Sequence, residues 1–376
     1  MKKLFSLLLV LSLLFSGMPF GAGATEFSPS CPAEGAVLIE KEDGKILFEK
    51  NKNASLPIAS TTKIMTCIVV LEQCDLEETV TIPKEAVGTE GSSAYLRTGE
   101  QLTVLELLYC LMLRSANDAA VALALHTAGS IDGFSRLMNK KAKELGLDGS
   151  HFTNPHGLDD ERHFSSAIDL ARLTAYALDN PSFSRIVSTR SICIGKEEYT
   201  RVLSNHNRLL SSLDGCIGVK TGYTIRSGRC LVSACKRDET TLICVTLNCR
   251  PDWDCHSDLY AYGFSLIQRQ VFDGFAADLP IAGSNLKLHV ASSGYSMLIS
   301  PNDSLTFSPV CPHFLFAPVS CGDTVGSVQV ILNGNVIDVI PITARDSAAT
   351  PPSPGLFSRI LSFILSLFQK NRQQEV

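Results

Sequence analysis

The chain has 376 residues, 45% of them hydrophobic, and a formal charge of −5 at pH 7. Such a length suggests about two domains, and the apolar content is enough for a sizeable core. The negative charge argues against a nucleic-acid partner; loss of Lys2 and Lys3 with a cleaved leader takes it from −5 to −7.

Met1 to Ala24 reads as a secretory signal. Lys2 and Lys3 make the positive start, Leu4 to Phe15 the apolar middle, and Ala22-Gly23-Ala24 the small-residue cleavage site. The alternative is an uncleaved membrane anchor. No lipobox precedes Cys31. The chain is therefore expected to work outside the cytoplasm. Its 13 cysteines are many for an exported protein. Cys67, Cys110 and Cys244 sit in apolar runs and read as core residues. Cys249 with Cys255, and Cys311 with Cys321, are candidate disulfides. Neither pair has the His/Cys spacing of a zinc site, so no metal and no cofactor is expected.

Ala36 to Lys50 is expected to be a hairpin, with Val37-Leu38-Ile39 and Ile46-Leu47-Phe48 flanking an Asp43-Gly44 turn. Leu56-Pro-Ile-Ala-Ser-Thr-Thr-Lys-Ile-Met-Thr66 follows. Lys63 to Leu71 is apolar-rich and free of Gly and Pro, so Ser60 is placed at the start of a buried helix. Residues three apart share a helix face, which lets the Ser60 hydroxyl meet the Lys63 amine. A neutral amine can take the serine's proton, and burial or a second cation depresses its pKa. The helix start also offers free N–H groups to developing negative charge.

Thr79 to Gly99 reads as small hairpins and loops. Thr103-x-x-Glu106 fits a capping box, opening a buried helix over Leu105 to Leu113. A second helix runs through Ala119 to His126, so Ser115 and Asn117 lie in a polar interruption between two buried helices. Such a loop must face something polar or a cleft. Taken alone it also reads as a simple turn with Asp118 as N-cap. Ile131 to Leu145 is amphipathic, with Phe134, Leu137, Met138, Ala142 and Leu145 on one period and Gly146 as the stop. His151 to Leu158 is a loop. A helix from about Ala167 to Leu178 is stopped by Asn180-Pro181. His156 and His163 read as solvated loop or cap residues rather than general bases.

Lys220-Thr221-Gly222 lies in a first strand, with Leu231 to Cys235 and Leu242 to Leu247 completing an antiparallel meander. An exposed strand edge of this kind can pair with an extended substrate. Lys220 suits a carboxylate and Thr221 can hydrogen-bond it.

The order Ser60-x-x-Lys63, Ser115-x-Asn117, Lys220-Thr221-Gly222 resembles that of the penicillin-recognising serine enzymes. Among them the chain is similar to the D-alanyl-D-alanine carboxypeptidases, the small penicillin-binding proteins. The similarity rests on Leu56 to Thr66, Ser115-Ala-Asn-Asp-Ala-Ala120, Asn154-Pro-His-Gly-Leu158, His163-Phe-Ser-Ser-Ala167 and Lys220-Thr-Gly-Tyr-Thr224. It covers roughly residues 30 to 345. The resemblance implies an α/β (α+β) fold of the serine β-lactamase/transpeptidase kind, with a five-stranded antiparallel sheet and a helical lobe. It implies Ser60 as the acylated nucleophile, Lys63 as its base and Ser115 as proton relay to the leaving D-alanine. It implies that Asn117 binds the substrate's amide, and Lys220 with Thr221 its terminal carboxylate. The backbone N–H groups of Ser60 and Tyr223, which Gly222 precedes, would form the oxyanion hole. The implied partners are a peptidoglycan stem peptide ending in D-Ala-D-Ala and β-lactams as covalent inhibitors. Tyr223 stands where some relatives carry His or Phe, and Asp254-Cys255-His256 replaces an Asn-Asp-His pattern.

By this reading residues 25–275 are the peptidase domain and residues 276–345 a small all-β domain, with Leu286 to Val290 alternating and Asn333-Gly334 between two strand runs. Residues 346–355 are a Pro/Ser-rich linker. In residues 356–376, Leu356 to Phe368 makes a helix of roughly 20 Å, short of the roughly 30 Å hydrocarbon core, so an interfacial amphipathic anchor fits better than a span. A helix packed on the β domain is the alternative. Two rival functions are a β-lactamase, for which the Glu-x-x-Leu-Asn of the class A type is missing, and a non-catalytic β-lactam-sensing domain.

Overall fold

The structure is a computed structural model that describes residues 29–195 and 199–349. The expected signal (1–24), the end of the linker and the anchor helix (356–376) lie outside the described residues. The chain forms two units. One runs to Cys235 and includes Thr241–Phe264; the other takes Lys236–Thr240 and everything from Ser265.

The first unit is built on a five-stranded sheet. Its strands are β1 (Gly35–Glu40), β2 (Ile46–Lys50), β7 (Cys216–Thr224), β8 (Gly228–Arg237) and β9 (Thr240–Leu247), in the order β2-β1-β9-β8-β7. Two short hairpins lie between them in sequence: β3 (Thr79–Thr81) with β4 (Gln101–Thr103), and β5 (Ser191–Ile194) with β6 (Arg201–Ser204). Residues of β1 and β9 are buried throughout. Val37, Ile39, Ile243 and Val245 enter the main core. Leu38 and Leu242 face the other way, against Gly263. Both faces are therefore dry, which is why these strands read as unbroken apolar runs rather than as alternation. The β1–β2 turn is longer than Asp43-Gly44 alone: Glu40 N–H donates to Lys45 O, so the loop is Lys41 to Gly44.

Helices cover the sheet. They are α1 (Lys63–Gln73), α2 (Val104–Leu113), α3 (Asn117–Ala128), α4 (Ile131–Glu144), α5 (Ala167–Leu178), α6 (Pro181–Ser188), α7 (Leu209–Ser212) and α8 (Asp252–Leu266). The capping box forms in both directions at Thr103 and Glu106. On α4, Phe134, Met138 and Ala142 turn inward as their spacing requires. Two local readings are corrected. Asn180-Pro181 does stop α5, but it also starts α6: the Asn180 side chain accepts from Ser182 and Phe183 N–H, and Pro181 stands at the first turn, where its missing N–H costs nothing. Asp118 is not the cap of α3; Ala116 occupies that position. The Asp118 carboxylate is buried and binds the loop before α2, accepting from Ser93 Oγ at 2.6 Å, Ala94 N at 3.0 Å and Leu96 N at 3.1 Å.

The second unit is all-β. A sheet in the order β11-β12-β16-β15-β14 combines Ala276–Pro280, Lys287–Ser292, Asn335–Ala344, Thr324–Leu332 and Leu305–Val310. Leu288, Val290, Val328, Val330 and Ile342 form its core. Asn333 (φ 51°) and Gly334 (φ 82°) make the two-residue turn between β15 and β16, both in the positive-φ region such a turn needs. Both expected boundaries move. β10 (Gln268–Phe272) pairs with β13 (Tyr295–Ile299), which draws the unit's start ahead of residue 276. At the other end Ala348 is buried in the core and bridges to Val319, so the linker does not begin at 346.

All 13 cysteines are free thiols. Cys67, Cys110 and Cys244 are fully buried in the first unit. Neither expected disulfide is present as such; Cys249 and Cys255 instead meet Cys31. Among the described residues no helix is long and apolar enough to cross a membrane.

Candidate active site

Ser60 lies on a single 3-10 turn, Ala59–Thr62, that runs directly into α1. The expected helix start is thus a tighter turn, with Lys63 as the first α-helical residue. Ala59 has φ 47°, an uncommon value for a residue with a β-carbon. Neighbouring groups hold it there. Thr61 Oγ1 donates to Ile58 O at 2.6 Å, and Thr62 Oγ1 donates to Ala59 O at 2.7 Å. The loop of residues 151–158 closes on the same turn: a β-carbon on Gly157 would lie 1.9 Å from Ala59 O. Asn154 Oδ1 folds that loop by accepting from Gly157 N–H at 2.7 Å.

His163 is buried rather than solvated, and His156 is half-buried with its Nδ1 accepting from Leu158 N–H at 3.2 Å. The His163 ring accepts through Nδ1 from Thr153 N–H at 3.1 Å. Its Nε2 therefore carries the proton and donates to Thr62 Oγ1 at 2.8 Å, while Thr62 donates onward to Ala59 O. Burial pushes the His163 imidazole down to about 4, which keeps this neutral tautomer. His156 acts through its backbone.

Lys63 is fully buried. Its Nζ is 2.8 Å from Ser60 Oγ, 2.7 Å from Asn117 Oδ1 and 2.7 Å from His156 O. Two of these partners are carbonyl oxygens that only accept. A neutral amine has two N–H bonds and one lone pair. With both N–H bonds given to the carbonyls, the lone pair is left for the Ser60 O–H. Burial, and then the charge of Lys220, hold the Lys63 pKa well below that of an ordinary lysine; Asp118 opposes them weakly. Geometry and electrostatics both favour the free base next to the serine.

Ser115 stands between α2 and α3 with φ 58° and lines the same cleft as Ser60. Asn117 does not line it. Its carboxamide, expected to bind the substrate's amide, is engaged at both ends: Oδ1 accepts from Lys63, and Nδ2 donates to Glu90 O at 2.6 Å. As placed, Asn117 holds the Lys63 amine.

β7 is the edge strand of the sheet. Gly222 brings it against the Ser60 turn: a β-carbon there would lie 3.1 Å from Ala59 Cβ, Ile58 O and Ser60 N. This approach sets the Ser60 and Tyr223 backbones side by side. Thr221, Gly222 and Tyr223 line the cleft, while Lys220 is buried behind them, its Nζ donating to Thr221 O at 2.8 Å. Burial takes the Lys220 pKa down to about 7.

The cleft has a volume of about 390 Å³. Several of its residues were not read from the sequence, namely Ser92, His206, Arg208, Arg229, Asp252 and Trp253. Arg229 Nε and Nη2 both donate to Asp252 Oδ1, at 3.0 and 2.8 Å, and its guanidinium lies 5.5 Å from the Trp253 ring centre. Arg229 is thus paired within the cleft lining, and Arg208 adds a second guanidinium there. His256, of the altered Asp254-Cys255-His256 stretch, is fully buried between Ser233 Oγ (2.6 Å) and Thr246 Oγ1 (2.9 Å), so that stretch serves the fold of α8 on the sheet. Only the Asn-Pro-His-Gly motif could have pointed to the His156 carbonyl; nothing local marks Arg229.

Residues 22–250 match the D-alanyl-D-alanine carboxypeptidase family. The chain is 38% identical over 263 residues to the D-alanyl-D-alanine carboxypeptidase DacF of Bacillus subtilis, a match covering 65% of this chain and 66% of that protein. It is 30% identical over 386 residues to DacC of Escherichia coli, covering 95% and 94%. Among solved structures, the Streptomyces K15 DD-transpeptidase superposes with a TM-score of 0.61 at 33% identity, over 64% of this chain and 99% of that one. Penicillin binding protein 5 from Haemophilus influenzae superposes with a TM-score of 0.63 at 26% identity, over 86% and 99%.

Proposed function

The chain belongs to the D-alanyl-D-alanine carboxypeptidase family and is a serine-type DD-carboxypeptidase, and from that premise we propose that it removes the terminal D-alanine from peptidoglycan pentapeptides through an acyl-enzyme on Ser60. The observation that carries the assignment is the Lys63 amine, whose two carbonyl acceptors leave its lone pair facing Ser60 Oγ. Lys63 takes the hydroxyl proton as Oγ attacks the penultimate carbonyl. The N–H groups of Ser60 and Tyr223 receive the developing oxyanion. Ser115 passes a proton to the departing amine of D-alanine, and water then releases the shortened peptide. Thr221, with Lys220 behind it, takes the substrate's terminal carboxylate as the peptide lies along the β7 edge. β-Lactams acylate the same serine. No specific observation favours a β-lactamase or a non-catalytic binding domain.

We place the enzyme outside the cytoplasm, exported by residues 1–24 and attached to the membrane surface by Leu356 to Phe368. The residue patterns of those two segments support this placement.

The test is D-alanine release from a peptide ending in D-Ala-D-Ala, together with intact mass and peptide mapping after penicillin treatment. The expected result is turnover and an adduct on Ser60. Turnover with no adduct, or with an adduct elsewhere, would overturn the assignment of Ser60.

A further inference from the structure

Cys31, Cys249 and Cys255 converge within the first unit, apart from the residues that line the cleft. Their Sγ atoms all lie within 4.8 Å of one another, and all three residues are buried. Cys31 precedes β1, Cys249 follows β9 and Cys255 lies in α8. The Cys255 S–H points at Cys31 Sγ, 2.9 Å away. Non-bonded heavy atoms of this kind sit roughly 3.5 Å apart or more. Two thiolates on one tetrahedral zinc, at Zn–S of about 2.3 Å, sit roughly 3.8 Å apart. The pair is therefore closer than simple contact or shared metal ligation would put it.

We propose that Cys31 and Cys255 form a disulfide in the oxidised protein and that Cys249 remains a buried thiol beside it. The ligand count favours this over a metal. Structural zinc takes four protein ligands, and three thiols converge here. The nearby His256 does not make a fourth: both ring nitrogens are hydrogen-bonded to hydroxyls, of Ser233 and Thr246. The 2.9 Å contact selects Cys31 as the partner of Cys255, and the bond, joining positions 224 apart, restricts the unfolded chain far more than a Cys249–Cys255 bond would. Hydrogen bonds from the Cys249 and Cys255 thiols hold the Cys31 thiol well below its usual range, and those with Cys249 and Cys31 push the Cys255 thiol up; with Cys255 donating to Cys31 Sγ, Cys31 is the attacking thiolate.

The oxidant is a low-molecular-weight disulfide. The Cys31 thiolate attacks one of its sulfurs, its S–S bond breaks and one thiolate leaves. Cys255, losing its proton, then attacks the Cys31 sulfur of the mixed disulfide and expels the second thiolate. Two protein thiols are oxidised, one small disulfide is reduced to two thiols, and the two protons end on those leaving groups. The bond ties the segment before β1 to α8, whose first turn supplies Asp252 and Trp253 to the cleft.

The full chain is equilibrated with glutathione disulfide, quenched in acid, alkylated in denaturant with iodoacetamide and digested without reductant; bound zinc is measured on the same sample. The expected result is one linked peptide joining Cys31 to Cys255, lost on reduction, with Cys249 alkylated and no zinc. Alkylation of all three residues overturns the proposal, as does a link through Cys249 or one zinc per chain with the three thiols unlinked.

Discussion

Gly222 passes Ser60 so closely that a β-carbon on it would stand 3.1 Å from the Ser60 backbone nitrogen. That nitrogen is one of the two proposed oxyanion donors. Gly222→Ala must push β7 off the nucleophile turn or tilt the turn itself. We expect kcat for D-alanine release to fall by about 10²-fold, the scale of losing one oxyanion donor. The fold should survive, since Gly222 is only partly buried on an edge strand. Steady-state kinetics with a thermal melt checks this; unchanged kcat in a folded variant would mean that the approach is not needed for chemistry.

Lys220→Ala should chiefly weaken substrates with a free terminal carboxylate, because a held charge contributes to binding in both ground and transition states. A C-terminally amidated peptide should lose little. The comparison of kcat/KM for the two peptides decides it. Equal losses would assign Lys220 to the electrostatics of Lys63, whose pKa its charge lowers, rather than to the carboxylate.

Acid stability should follow four imidazoles held low by burial, those of His156 (about 3) and His206 (about 4) beside the two most deeply buried, His163 and His256. His163 is held down to about 4 and His256 to about 3, in both cases chiefly by burial, against an unfolded value near 6.5. The unfolded chain then binds protons first as pH falls. The stability these groups contribute is complete above pH 6.5 and is lost progressively as pH falls toward 4 and 3. Urea midpoints between pH 7 and 4 should decline, with about two protons of the slope due to this pair. In His256→Gln, which can keep one hydroxyl partner, the slope should drop by about one proton; an unaltered slope would place the titration elsewhere.

Truncation after Gly355 should give an enzyme with near-normal activity on a small peptide and without affinity for vesicles. The Ser60, Lys63, Ser115 and Lys220 motifs all precede residue 224. The full chain should bind anionic vesicles with a salt-dependent part from Lys370 and Arg372 and a salt-resistant part from the apolar face of Leu356 to Phe368. Co-sedimentation at low and high salt, with activity assayed on both forms, is the check. A truncated form that still sediments would move the anchor elsewhere, and one that loses activity would mean that the helix packs on the enzyme.

What the sequence alone determined is local. The Thr103–Glu106 capping box, the period of Phe134, Met138 and Ala142 on α4, the Asn333-Gly334 turn and the Ser60–Lys63 pair each join residues a few positions apart. Backbone geometry alone brings such neighbours together, so their spacing was legible before any fold was known. The order of the three motifs also carried the family. The tertiary structure decided what surrounds the Lys63 amine. Its two carbonyl partners, Asn117 Oδ1 and His156 O, lie 54 and 93 positions away, and the charge of Lys220 acts on it from the edge strand. The Arg229–Asp252 pair and the Cys31–Cys255 contact, 224 positions long, were equally hidden. Such meetings depend on how helices and sheet pack around one core, and residue spacing along the chain carries no record of that packing.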